Sequence, residues 1–155
     1  MLVEEIQLSK ELFGLLDGSR LESKQGEAMM LLTVTDDHWP HVAMISAGEI
    51  VALNRRQLRL ALWSGTTTTG NVIRTGKATL AAFADGRAYY VRLLLEQLPE
   101  LPDAEYPRAR FTATVASSRA DTAKYADILT GVTIRLKNPA EVLKRWEKTH
   151  EELMR

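Results

Sequence analysis

The spacing of apolar residues predicts a helix at each end of the chain. Residues 2–16 carry an apolar stripe at helical spacing, and Asp17-Gly18 provides a stop signal. The stripe consists of Leu2, Ile6, Phe13 and Leu16, with Leu8, Leu12 and Leu15 beside it. Near the other end, Asn138-Pro139 is typical of a helix cap followed by proline at the first helical position. We therefore predict an N-terminal helix within residues 1–18 and a C-terminal helix over 139–154.

Between these helices the apolar runs are short and rich in β-forming residues. Leu58, Leu60 and Leu62 alternate with Arg59 and Ala61, which is the period of a half-buried strand. The predicted strands are 28–35, 41–47, 50–53, 58–64, 77–83, 88–98, 109–116 and 131–137. A further helical segment is predicted at roughly 119–129.

The connections between these runs decide the fold class. Residues 35–64 leave no room for a helix after each strand, as a parallel sheet would require. Asp85-Gly86, between two apolar runs, is a strong hairpin signal. We predict one mainly β domain over residues 1–155, a mostly antiparallel barrel or sandwich at 28–137 with helices packed outside.

Composition excludes several classes of protein. The 155 residues contain no cysteine, so disulfide scaffolds and thiolate metal sites are excluded. The 20 basic and 20 acidic side chains cancel, which gives no support for nucleic-acid binding. The chain has neither a signal-peptide pattern at its start nor an apolar run long enough for a membrane span. We expect a cytoplasmic protein without membrane or nucleic-acid partners.

The most unusual segment runs from Trp63 to Asn71 and holds four consecutive threonines between two glycines. It follows a predicted strand and leads into Val72–Gly76, a candidate short helix. Hydroxyl groups and free backbone N–H groups at a helix start suit an anion. Alternatively, the segment is a solvated threonine-rich turn with a single helix cap.

The order of elements around this turn carries a family resemblance. Strand 60–64, the threonines, Asn71-Val72, strand 78–83, the Asp85-Gly86 hairpin and strand 89–92 follow one another. Upstream, Trp39-Pro40 precedes strand 41–46. Over residues 28–98 this order resembles the pyridoxamine 5'-phosphate oxidase-like family of FMN-binding split β-barrels.

The resemblance implies a split β-barrel that forms a homodimer and binds FMN where two subunits meet. It implies that Ile45 and Ser46 lie beside the isoalloxazine ring. The remaining cofactor-binding residues that it implies belong to the threonine turn and its flanks: Trp63, Ser64, Thr66, Thr67, Thr68 and Asn71. The activity implied is that of a flavin-dependent oxidoreductase acting on a small organic substrate.

The turn departs from the oxidase in one respect. The oxidase has Arg-Lys in its phosphate turn, whereas Thr68 stands at the corresponding position here, and no basic residue occurs between Gly65 and Ile73. Neutral hydrogen bonds are roughly half as strong as charge-assisted ones, so a phosphate is expected to bind less tightly. The oxidase's own substrate-binding basic residues also have no clear match.

No residue is nominated as catalytic, and no metal site is expected. His38 and His41 lie three residues apart, but further ligands are lacking. In flavin enzymes the cofactor carries the redox chemistry, so a missing catalytic motif does not argue against that role. A flavin- or haem-binding module without turnover, and a structural dimer with an empty pocket, remain alternatives. The apolar run 93–95 suggests a strand buried on both faces, as at a subunit interface.

Overall fold

The structure, a computed structural model, describes residues 4–155. Its helices are α1 (Lys10–Leu16), a short 3-10 helix (Leu21–Lys24), α2 (Thr67–Thr75) and α3 (Pro139–Leu153). Its strands are β1 (Glu4–Glu5), β2 (Ala28–Val34), β3 (Pro40–Ser46), β4 (Ile50–Ala52), β5 (Gln57–Leu62), β6 (Lys77–Ala84), β7 (Arg87–Gln97) and β8 (Ala109–Asp121).

All strand pairs in the sheet are antiparallel. The order is β3-β2-β6-β7-β8-β5-β4, and β1 pairs with the far end of β8. The two strands at the ends of this order, β3 and β4, are adjacent in sequence. The sheet is therefore curled, and the turn between Ser46 and Ile50 joins its two edge strands. The predicted mainly β, mostly antiparallel split barrel is confirmed.

One apolar core fills the inside of the curled sheet. Alternate residues of β5 and β7 point into it, including Leu58, Leu60, Tyr89 and Val91. Leu12 and Leu16 of α1 enter the same core together with Leu8, which precedes the helix, and each of the three is at most 1% exposed. The helix therefore closes one side of the barrel through burial of its apolar stripe.

The hairpin between β6 and β7 forms where the sequence predicts it. Asp85 (φ 53°) and Gly86 (φ 70°) both have left-handed backbone conformations, and Ala84 pairs with Arg87. Positive φ at both central residues defines the turn type whose twist matches that of the flanking strands.

The predicted N-terminal helix is wrong in its first half. Glu4 and Glu5 pair with Arg119 and Ser118 as a short strand, and α1 begins only at Lys10. The Ser9 side chain caps the helix by accepting a hydrogen bond from the Leu12 N–H at 3.1 Å. Residues 1–3 of the predicted helix lie outside the described residues.

The prediction for residues 119–137 is also wrong. β8 continues to Asp121, where a helix was expected, because its last residues pair with the start of β7. Residues 122–137 then form an extended strap instead of a helix and a strand. A single bridge between Glu27 and Thr133 and the hydrogen bond from the Ile134 N–H to the Gly26 carbonyl (2.9 Å) attach the strap to the barrel.

The C-terminal helix begins as predicted. The Asn138 side chain accepts a hydrogen bond from the Glu141 N–H, and Pro139 is the first helical residue. α3 packs on β4, β5 and the 3-10 helix. Trp146, His150 and Leu153 are buried in this contact.

His150 makes the stability of this contact dependent on pH. Its Nε2 donates to the Ala47 carbonyl at 2.8 Å, while Nδ1 is buried with no hydrogen-bond partner among residues 4–155. Burial lowers the pKa of His150 below its ordinary 6.5, because the charged imidazolium loses its hydration, against the opposing effects of the Ala47 and Ile50 backbone.

We expect the free energy of unfolding to fall as the pH drops below 6.5, the ordinary pKa of histidine. In that range His150 is protonated in the unfolded chain but neutral in the folded protein. The free energy of unfolding therefore falls by a value that approaches about 1.4 kcal/mol for each pH unit. Urea unfolding of the wild type and the His150→Gln variant between pH 5 and 7.5 measures this pH dependence. The His38→Gln variant, which changes an exposed histidine, is the control. An equal pH dependence in wild type and His150→Gln would contradict this assignment.

Candidate functional site

The threonine turn joins the end of β5 to the start of α2 and is held by its own hydrogen bonds. The Thr66 side chain caps α2 by accepting from the Thr69 N–H at 3.1 Å. The Thr69 hydroxyl donates to the Trp63 carbonyl at 2.6 Å. Gly76, with φ 67°, ends the helix in the left-handed conformation that glycine adopts easily. α2 thus starts at Thr67, earlier than the predicted Val72.

The turn presents a small set of free donors at the start of α2. The backbone N–H groups of Thr67 and Thr68 have no partner among the described residues, as expected for a first helical turn. The side chains of Ser64 and Thr67 are exposed, whereas Thr68 is buried. Two amides without a partner among the described residues and two exposed hydroxyls therefore occur together at the positive end of the helix dipole.

Asn71 fastens this helix to the barrel. Its side chain is 3% exposed and donates to the Thr33 hydroxyl at 3.0 Å. Its oxygen accepts from Arg74 at 3.1 Å, and Arg74 also donates to the Val34 carbonyl. Asn71 supports the turn indirectly, and Arg74 is engaged at the end of β2.

The end of β3 lies near the end of β5, the strand that leads into the threonine turn. Ile45 and Ser46 are buried, and the Ser46 hydroxyl donates to a Glu49 carboxylate oxygen at 3.1 Å. The Glu49 carbonyl accepts from the Ala61 N–H at 2.9 Å, which holds the turn after β3 against the end of β5. α2 also contacts β3. The end of β3 therefore lies near the strand that leads into the threonine turn, whereas Asn71 and Arg74 of α2 bind the end of β2, which pairs with the start of β3.

Two charged residues of this region were missed in the sequence. The Arg108 guanidinium lies over the Trp63 ring, 3.5 Å from its centroid. Burial raises the pKa of Glu49, against the opposing effects of Ser46, Arg108 and Arg145. Arg108 follows the proline-rich loop 99–107 and is distant in sequence from Trp63, so no local pattern could have indicated the contact.

The outer face of the sheet leaves apolar side chains uncovered. Val42 and Met44 of β3 are 55% and 58% exposed, and Leu94 of β7 is 49% exposed. Leu93 and Leu95 face the core instead. Tyr89 is likewise a core residue, whereas Tyr90 lies on the outer face with the Arg119 guanidinium 4.7 Å from its ring centroid.

The described residues contain no group of three or more histidines, cysteines, aspartates or glutamates placed to hold a metal ion. Over residues 4–155 no helix is both long and apolar enough to span a membrane.

A strong sequence relative is known. The chain is 55% identical over 148 residues to the uncharacterized protein YclD of Bacillus subtilis (strain 168), a match that covers 96% of each protein. No family model matches the chain.

Solved structures with the same fold are more distant in sequence. A Lactobacillus delbrueckii protein named as a candidate pyridoxamine 5'-phosphate oxidase superposes with a TM-score of 0.58 at 20% identity, covering 74% of this chain and 94% of its own. An FMN-binding protein from Syntrophomonas wolfei superposes with a TM-score of 0.51 at 15% identity, covering 71% and 88%. The chain therefore belongs to the same family as Bacillus subtilis YclD, and its fold is the split barrel of pyridoxamine 5'-phosphate oxidase-like and FMN-binding proteins.

Proposed function

We propose that the protein binds FMN and acts as a flavin-dependent oxidoreductase on a small organic substrate. The observation that carries this proposal is the set of free amides and hydroxyls at the start of α2, directly after β5, whose end is hydrogen-bonded to the turn after β3. The split-barrel fold, shared with the FMN-binding protein of Syntrophomonas wolfei, supports it.

The donor set fits the phosphate group of FMN. The hydroxyls of Ser64 and Thr67 and the amides of Thr67 and Thr68 would hold the phosphate oxygens. Thr66 and Asn71 keep the turn in shape, since their side chains are used within the protein. Arg108, stacked on Trp63, adds a cation beside a turn that has none of its own.

The isoalloxazine ring would lie along the end of β3, beside Ile45 and Ser46. Trp63 would lie toward the end of FMN that carries the phosphate. Bound FMN supplies reversible two-electron transfer, and the protein's part is to bind and orient it. No described side chain needs to act as a general base for that role.

We further propose a homodimer formed through the outer face of β2, β3 and β7. This face exposes Val34, Val42, Met44 and Leu94 in one sheet. A soluble monomer rarely exposes a contiguous apolar surface, and stable dimer interfaces are apolar. A second copy of the chain would cover it.

We expect Ser64→Ala combined with Thr67→Ala to weaken FMN binding by about tenfold or more, because two hydrogen bonds of about 0.5–1.5 kcal/mol each are lost. Fluorescence titration of FMN measures the loss, and riboflavin serves as the phosphate-free ligand. Thr122→Ala, an exposed threonine outside the site, is the matched control. The charged variant Thr67→Lys is expected to tighten FMN binding.

Equal binding of riboflavin and FMN by the wild type, or unchanged FMN binding by the double variant, would contradict the phosphate site. The visible spectrum of the protein purified without added cofactor tests the wider proposal. A flavin band supports it and a Soret band indicates haem. A colourless protein that fails to take up FMN contradicts it. Reduction of the bound flavin by NADH or NADPH would then distinguish an enzyme from a carrier.

A further inference from the structure

A small cavity lies between the start of β8, the loop 99–107 and the last turns of α3. Its volume is about 120 Å³, which leaves room for several water molecules or a ligand of a few heavy atoms. The charged lining residues are Glu100, Arg108, Arg110 and Glu152, and the polar ones include Ser64, Tyr106 and Thr149. Ser64 connects the cavity to the threonine turn.

Arg110 is a buried charge in the wall of this cavity. It is 7% exposed, and its two terminal nitrogens donate to the carbonyls of Glu152 (3.2 Å) and Pro99 (2.7 Å). Its Nε is buried without a partner among the described residues. Burying a guanidinium is costly unless it is paired and fully hydrogen-bonded.

Positive charge exceeds negative charge around the cavity. Apart from Arg155, which is paired with Asp103 at 3.0 Å, four guanidinium groups line it or interact electrostatically with those that do: Arg59, Arg108, Arg110 and Arg145. The carboxylates near them are Glu49, Glu100 and Glu152, and the Glu152 carboxylate accepts the Glu105 N–H at 2.8 Å. None of the four arginines has a carboxylate oxygen within 4 Å among residues 4–155.

Two of these arginines have a structural role that explains part of the excess of positive charge. Arg59 donates to the Leu153 carbonyl at 2.7 Å and Arg110 to that of Glu152, so both satisfy carbonyl groups at the C-terminal end of α3. Arg108 is not explained in this way. Its guanidinium stacks on Trp63 and forms no hydrogen bond with any described residue, so its donors are available to a ligand.

We propose that this cavity binds a small organic oxyanion, a carboxylate or a phosphate ester, with Arg108 as its bidentate partner. The planar guanidinium fork matches two oxygens of either group, and Arg110 supplies further positive potential from the wall. The cavity shares Ser64 and Arg108 with the proposed phosphate site, whereas its other polar lining residues belong to the loop 99–107, β8 and α3.

Isothermal titration calorimetry with malonate and inorganic phosphate, and with neutral malonamide as control, tests the proposal. We expect saturable binding of at least one oxyanion and none of malonamide. Arg108→Gln should weaken oxyanion binding by about tenfold or more, and Arg108→Lys by less, since lysine keeps the charge without the fork. Arg56→Gln, which removes an exposed arginine elsewhere, should leave binding unchanged.

Thr67→Ala distinguishes this site from the threonine turn, because Thr67 does not line the cavity. Unchanged oxyanion binding in Thr67→Ala supports the cavity even if FMN fails to bind. Loss of binding in Thr67→Ala would place the anion on the turn and overturn the proposal. So would the absence of saturable binding to the wild type, or equal affinity in the wild type and a folded Arg108→Gln or Arg108→Lys variant.

Discussion

Gly48→Ala is expected to destabilise the fold by about 3 kcal/mol, the upper part of the range for overpacking a core. A Cβ added at Gly48 would lie 2.0 Å from Cγ of Trp146, far inside van der Waals contact. Trp146 is 4% exposed and lies between α3 and the turn after β3, so its rigid ring has little space to move. The substitution would push α3 away from the end of β3, next to Ser46.

Urea unfolding monitored by circular dichroism measures this loss. The matched control is Gly14→Ala in α1, where an added Cβ meets no atom within 4 Å and a small gain in helix stability of about 0.5–1 kcal/mol is expected. The double variant Gly48→Ala, Trp146→Leu should lose less free energy of unfolding than the sum of the losses in the two single variants, because the smaller side chain relieves the overlap. An unchanged unfolding midpoint for Gly48→Ala would show that the glycine is not in close contact with the ring.

The second large effect is expected at the proposed dimer face. Replacing both Met44 and Leu94 with glutamate places like charges on two strands of the apolar face. A buried unpaired carboxylate costs several kcal/mol, so the dimer should dissociate. Sedimentation should then give the 17.4 kDa monomer, whereas the wild type should sediment at twice that mass.

The control for this experiment is Met154→Glu, at the end of α3. Met154 is 60% exposed and Met44 58% exposed, so the two residues match in type and accessibility. The Met154 variant should remain dimeric. A wild type that is monomeric at micromolar concentration, or a double glutamate variant that is still a dimer, would contradict the proposed interface.

Much of the architecture follows from local sequence pattern. The alternation of Leu58, Leu60 and Leu62 determines which face of β5 is buried, and the Asp85-Gly86 pair determines the hairpin. Asn138-Pro139 determines where α3 begins. These features depend on neighbouring residues only, so the sequence alone was enough to predict them.

Where the prediction failed, pairing between distant segments decided the outcome. The apolar stripe that includes Ile6 suggests a helix, yet Glu4 and Glu5 join β8 and leave Ile6 58% exposed. β8 extends to Asp121 because β7 offers a partner along its whole length. The backbone hydrogen bonds of a strand are satisfied by another strand, so its length depends on residues far away in the chain.

The candidate site divides in the same way. The sequence by itself determined that a short helix ending at Gly76 follows β5, because the cap and the glycine act locally, although the prediction began that helix at Val72 instead of Thr67. Only the tertiary structure decided that Ser64 and Thr67 face outward while Thr68 is buried, since that depends on how α2 packs against β2 and β3. It also decided that Arg108 lies over Trp63, because pairing of β5 with β8 brings together residues that are far apart in the sequence.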